Sequence, residues 1–276
     1  MKLNQLDTSL KSGIEELGLI SGRLFVLDRF VNQTKENINN NPTIGNELMG
    51  SGLAFWDVTI HKEDSLLYMP SNVYRLTRNN LKDEIDRILS REYLFQISQA
   101  YEVLETFLYD NVAELVLLLG SRAKLPDDYR SNKGTFVSIR KALKSLNNRT
   151  NNRHLTNIIR ENSIPFCQNE KDNPFEINFN TWYEMLSEVR HCTTHRRMRL
   201  TSDIKHKLPV LFYDYMGIYK VGNAEYIYIE YEGCSKTLSM IAQYMFLIYK
   251  TVTDTCYGKT INFSHIQHIL PDLYHT

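Results

Sequence analysis

The chain has 276 residues, 42% hydrophobic and 23% charged, which is enough apolar material for a real core and ordinary for a soluble globular protein. Lys plus Arg and Asp plus Glu both number 32, so the formal net charge is zero; this argues against a large non-specific nucleic-acid surface but leaves room for a local basic patch. Cys167, Cys192, Cys234 and Cys256 form no CxxC pair, which argues against a zinc ribbon; with no apolar signal core in the first residues and no apolar run near the ~20 residues of a bilayer span, a cytoplasmic protein with no membrane contact is expected.

Leu6 to about Asn37 carries Leu17, Ile20, Leu24, Leu27 and Val31 at three- and four-residue steps, which predicts a helix. The polar run Asn39–Asn46, with Pro42 and Gly45, ends it. Leu53–Ile60 and Ser65–Met69 read as short strands joined by the charged turn His61-Lys62-Glu63-Asp64. Asn80–Leu119 reads as helix, with Ile97, Tyr101, Leu104, Leu108, Val112, Leu115 and Leu119 on one face. At ~1.5 Å per residue it would reach about 60 Å, so a break near Ser90 is expected.

Lys124–Lys133 reads as loop, and Thr135–Leu146 and Leu155–Asn162 as two shorter helices. Pro165–Asn178 reads as a polar connector, and Asn180–Met198 as a further helix. Val210–Met216 and Ala224–Tyr231, rich in Tyr, Ile and Phe, read as a hairpin around Gly222-Asn223. Ser235–Thr253 closes the pattern, with Leu238, Ile241, Met245, Ile248 and Val252 on one face. The fold class is therefore mainly α, an up-and-down helical bundle with small β-hairpin insertions. Residues 1–72 form an N-terminal helix plus hairpin extension; residues 73–276 form the bundle, with the inserted hairpin near 208–231.

The chemistry concentrates in Asn180–Met198. At about 100° per residue, Trp182, Met185, Leu186, Val189 and Thr193 form its core-facing stripe. Glu184, Glu188, His191 and His195 fall opposite, and Arg190 lies between the two sets, about 140° from His195. Polar residues opposite an apolar stripe are usually a solvated face, and Arg196, Arg197 and Arg199 also suit the negative end of a helix dipole.

The run Arg190-His191-Cys192-Thr193-Thr194-His195 nevertheless resembles the R-x4-6-H motif of the HEPN superfamily, the higher-eukaryote and prokaryote nucleotide-binding domains. The position after the arginine is commonly Asn, Asp or His in that family, and His191 fits. The resemblance covers roughly Asn80–Tyr257. It implies a metal-independent endoribonuclease that needs no cofactor and acts as a homodimer with a composite active site in stress response or phage defence, a setting in which an antitoxin or regulatory partner would hold it in check. The RNA 2′-hydroxyl would attack the adjacent phosphorus and leave a 2′,3′-cyclic phosphate. His195 would move the proton and Arg190 would stabilise charge on the phosphorane. His191 would orient the phosphate or the His195 ring, with Glu188 and Thr194 in support and Arg196, Arg197 and Arg199 on flanking phosphates. Arg197 stands where one toxin branch carries a modifiable tyrosine, so tyrosine adenylylation at this site is not expected. The alternative the resemblance leaves open is a non-catalytic module that binds RNA, nucleotide or a protein partner.

Other constellations are weaker. His191-Cys192-Thr193-Thr194-His195 has zinc-helix spacing but lacks the general-base glutamate of HExxH. Glu188-x-x-His191 matches a di-iron ligand pair but has no second copy in the chain, although Glu102, Glu105 or Glu114 could add carboxylates. Arg140-Lys141-Ala142-Leu143-Lys144, with Arg149, Arg153 and Arg160, would either extend an RNA track or form a solvated helix face. Tyr226, Tyr228 and Tyr231 would either stack bases or pack on neighbouring strands.

Overall fold

The structure, a computed structural model, describes residues 4–51, 55–56, 59, 67–68, 74–127, 129, 134–147, 153–206, 208–258, 261 and 263–270. Helix α1 spans Gln5–Asn40. It starts at a reciprocal cap, in which the Asp7 N–H donates to Asn4 Oδ1 at 2.8 Å and the Asn4 N–H donates to Asp7 Oδ2 at 3.1 Å. Asp7 is buried and also accepts from the Tyr249 hydroxyl at 2.7 Å. Leu6, Leu10, Leu17, Ile20 and Leu24 of α1 enter the same core as the rest of the chain.

Strand β1 (Glu47–Ser51) pairs antiparallel with β4 (Tyr74–Thr77), and β2 (Phe55–Trp56) pairs with β3 (Leu67–Tyr68). The latter pair lies inside the two strands expected there; the joining turn, residues 61–64, lies outside the described residues. The β1–β4 pair was not legible in its polar composition.

Helix α2 (Leu81–Leu119) is the spine. It is one continuous helix with no break at Ser90, contrary to the expectation from its length. Ser90 is buried, and its hydroxyl accepts the Ile229 N–H at 2.9 Å, so it ties α2 to the following chain instead of ending a helix. The α1 helix packs antiparallel along α2, with Lys35 on Asp86 at 3.2 Å and the Tyr93 hydroxyl on Asp28 at 2.6 Å.

Helices α3 (Phe136–Asn147) and α4 (Arg153–Asn162) fall within two residues of their expected spans. The expected connector holds a short helix, α5 (Ile164–Asn169), which Ser163 caps and Pro165 opens. Helix α6 spans Phe179–His195, followed by β5 (Arg199–Leu200) and the short α7 (Ser202–Lys205). The hairpin is β6 (Gly217–Val221) with β7 (Ala224–Tyr228), and β5 joins it in the order β5-β7-β6. Val210–Asp214, expected as a strand, is a 3-10 turn. Its burial explains the difference: Phe212, Tyr215 and Met216 are buried at helical spacing, while Val210 is 86% exposed.

Helix α8 spans Tyr231–Tyr257, four residues longer at each end than expected, and α9 spans Phe263–Ile269. Gly258 closes α8 in the left-handed conformation at φ 60°. Near the start of α8, Gly233 lies against the chain at Tyr215: a β-carbon there would stand 2.1 Å from the Tyr215 carbonyl oxygen and 3.2 Å from Ile229 Cγ1. A backbone atom cannot swing aside, so Gly233→Ala is expected to destabilise the fold by about 1–3 kcal/mol, measured as a lower urea midpoint at unchanged slope.

The class is thus mainly α with small antiparallel strand pairs. Among the described residues no helix is long and apolar enough to cross a membrane.

Candidate functional site

The side chain of Asn178 caps α6 by accepting the Thr181 N–H at 3.1 Å. Trp182, Met185, Leu186, Val189 and Thr193 are all buried, as the angular reading expects. The helix ends three residues short of Met198. The Arg196 and Met198 N–H groups both donate to the Cys192 carbonyl, at 3.1 and 2.9 Å, and Arg197 and Met198 adopt left-handed backbone at φ 51° and 66°. Met198 buries its side chain, and the chain turns directly into β5. That turn places an exposed Arg196, Arg197 and Arg199 around the C-terminal end of α6.

His191 and His195 are exposed one turn apart, their rings 5.1 Å apart and inclined at 48°. Arg190 does not join them. Its guanidinium points to α2, 5.2 Å above the Tyr101 ring, with Glu102 at 3.7 Å and Glu105 at 3.8 Å. Neither carboxylate comes within hydrogen-bond distance, and the buried Arg190 Nε has no partner among the described residues. Tyr101 is itself fixed: it stacks on Tyr183 with centroids 5.7 Å apart and donates its hydroxyl to that of Tyr183 at 3.2 Å. Burial pushes the Glu105 carboxyl above the usual carboxylate range; Arg190 opposes the rise and Glu102 adds to it.

The supporting residues are placed differently from expectation. No hydrogen bond joins Glu188 to His191 among the described residues. The Thr194 hydroxyl turns back to the Arg190 carbonyl at 2.9 Å, a local helix bond. Arg196 donates to the Thr201 hydroxyl at 3.2 Å. Sequence reasoning missed Tyr101, Glu102 and Glu105 as partners of Arg190. Their spacing on α2 puts them near one another, but nothing local links them to a residue some 85 positions on.

The competing constellations also find their places. Among the described residues no three His, Cys, Asp or Glu side chains gather to hold a metal ion. Arg140 pairs with Asp110 at 2.5 Å and Arg160 with Glu170 at 2.6 Å, both largely enclosed, whereas Arg153, more than half exposed, lies 3.5 Å from Glu184; Arg149 lies outside the described residues. Tyr226 stacks on Tyr219 across the hairpin at 5.2 Å, and Tyr228 meets Tyr219 edge-on at 6.2 Å. Tyr231 opens α8 against Tyr93.

Cys192, inside the motif, is buried, and burial pushes its thiol up to about 11; Arg196 opposes the shift and Glu188 adds to it. Burial likewise raises Cys234 and Cys256 to about 12, whereas Cys167 is exposed. Iodoacetamide near pH 8 is therefore expected to alkylate Cys167 first, since at that pH only about one Cys192 in a thousand is thiolate. Cys192 labelling should rise with pH up to its raised value, read by peptide mass spectrometry; prompt labelling near neutrality would contradict its burial.

No protein-family model, curated protein or solved structure matches this chain.

Proposed function

We propose that the protein is a metal-independent endoribonuclease of the HEPN type, with His195 as its proton-transfer group and Arg190 as its phosphate-binding cation. The observation that carries this reading is the exposed His191–His195 pair at the end of α6, with the exposed Arg196, Arg197 and Arg199 following it in the chain. An imidazole exchanges protons near neutral pH, and guanidinium forks suit phosphate oxygens. In the reaction the 2′-oxygen bonds to phosphorus and gives up its proton, while the phosphorus–5′-oxygen bond breaks and that oxygen takes up a proton. The products are a 2′,3′-cyclic phosphate and a 5′-hydroxyl. His195 handles the proton transfer, and His191, one turn away, orients the phosphate or the His195 ring.

Arg190 and His195 leave opposite flanks of one helix, which favours a homodimer whose two motifs share one cleft. The pairing of Arg190 with Glu102 and Glu105 favours a second reading, a non-catalytic module that binds RNA, nucleotide or a protein partner. A mixed RNA pool incubated with the protein in EDTA separates the two. Fragments ending in 2′,3′-cyclic phosphate support the nuclease, and intact RNA supports the module. Sedimentation at micromolar concentration should give a dimer; a monomer would remove the composite site.

A further inference from the structure

The two acidic neighbours of Arg190 are not equivalent. Glu105 is largely enclosed, its side chain 15% exposed, whereas the Glu102 side chain is 62% exposed. Glu102 also borders an open polar cleft of about 500 Å³ between α1 and α2, lined in part by Ser12, Arg23, Gln99 and Thr106. It therefore has room to swing away, and Glu105 has not. The third wall, Tyr101, cannot move, because it is fully buried and stacked on Tyr183. Within these walls the guanidinium makes ion pairs at 3.7 and 3.8 Å but no hydrogen bond among the described residues; its Nε is buried, so the terminal nitrogens are the donors left for an oxyanion.

We infer that Glu102 and Glu105 divide the control of Arg190: Glu105 and the Tyr101 ring hold the guanidinium in place, while Glu102 is a resident anion that an RNA phosphate displaces into the α1–α2 cleft. Glu105 is thus a positioning residue, and Glu102 competes with substrate. This rests on the ribonuclease reading and specifies how its arginine is loaded. A phosphate that replaces Glu102 keeps the guanidinium beside two anions, so local charge changes little at the exchange. Losing Glu105 leaves the cation free to tilt, and a misplacement of about 1 Å can cost a hundredfold in rate.

The test uses the full chain and two readouts: fluorescence anisotropy with a 2′-O-methyl RNA oligonucleotide, which binds but has no 2′-hydroxyl to attack, and steady-state cleavage of the matching RNA. Glu102→Gln is expected to tighten probe binding about two- to fivefold, the scale of one exposed charge pair, and to lower KM with kcat unchanged. Glu105→Gln is expected to lower kcat about ten- to a hundredfold with thermal unfolding near wild type, and Glu105→Asp to recover part of the loss. Arg190→Ala should erase the Glu102→Gln gain. A wild type that cleaves in a His195-dependent manner, with Glu102→Gln binding no tighter or Glu105→Gln unimpaired, overturns this division and leaves the ribonuclease reading standing. A wild type that neither binds the probe nor cleaves RNA overturns both. Should Glu105→Gln fail to fold, the binding of Glu102→Gln, at an exposed position, decides alone.

Discussion

Replacement of His195 by alanine is expected to lower the rate of RNA cleavage by about 10²–10⁴-fold, the range carried by a single general acid–base group. The side chain is exposed and its ring neighbour is the equally exposed His191, so truncation removes no core packing. Thermal unfolding should stay at the wild-type value, which separates a chemical loss from a folding one. Single-turnover cleavage in EDTA is the measurement, because it excludes product release from the rate. His191→Ala in the same assay shows whether the second imidazole shares the proton transfers: a loss of similar size assigns it one of them, and a small loss leaves it an orienting group. Arg190→Lys keeps the charge but removes the fork, and should also slow the reaction. A His195→Ala protein that cleaves at the wild-type rate would remove the histidine from the reaction.

The largest stability effect is expected at Arg160. Glu170 is wholly buried and accepts from Arg160 through Nε at 2.6 Å and a terminal nitrogen at 2.8 Å, and from the Tyr244 hydroxyl at 2.8 Å. Arg160 also donates to Asn180, in the first turn of α6, at 2.6 Å. The Glu170 carbonyl receives the Phe179 N–H at 3.0 Å, and Phe179 stacks on Tyr244 with centroids 5.1 Å apart. The network therefore anchors the start of the helix that carries Arg190 and His195. Arg160→Ala would leave a buried carboxylate with only a hydroxyl for company, and removing one partner of such a pair costs about 3–5 kcal/mol. Equilibrium urea unfolding measures it. An Arg160→Met, Glu170→Leu double variant should recover much of the loss, because it removes both charges from the interior. A single variant within about 0.5 kcal/mol of wild type would mean that water reaches the site, since only surface changes are so mild.

The helices were legible in the chain because their burial has a simple period. The stripes of α1, α2, α6 and α8 each repeat at three and four residues, and their residues are buried apart from Leu27, Val31 and Leu119, which pack against the core partly exposed. Where the period was misread, tertiary contacts made the difference. Val210–Asp214 carries strand-forming residues, but Phe212, Tyr215 and Met216 turn inward together. Ser90 suggested a break and instead bonds the backbone at Ile229 from mid-helix. Tyr231, expected to end a strand, instead opens α8 and meets the Tyr93 ring of α2 edge-on.

The candidate site divides in the same way. The exposed His191 and His195 follow from α6 alone, because residues four apart lie one turn above each other on any helix. The crowding of Arg196, Arg197 and Arg199 at its end follows from their adjacency. The surroundings of Arg190 do not follow from the sequence. An arginine between a buried and a solvated face can turn either way, and the stacked Tyr101 and the acidic pair Glu102 and Glu105 on α2 draw it away from His195. By itself the sequence determined that Arg190, His191 and His195 share one helix and which of its faces is wet, since the faces depend on the angle per residue. Only the tertiary structure decided what the arginine touches, because that depends on which distant helix packs alongside.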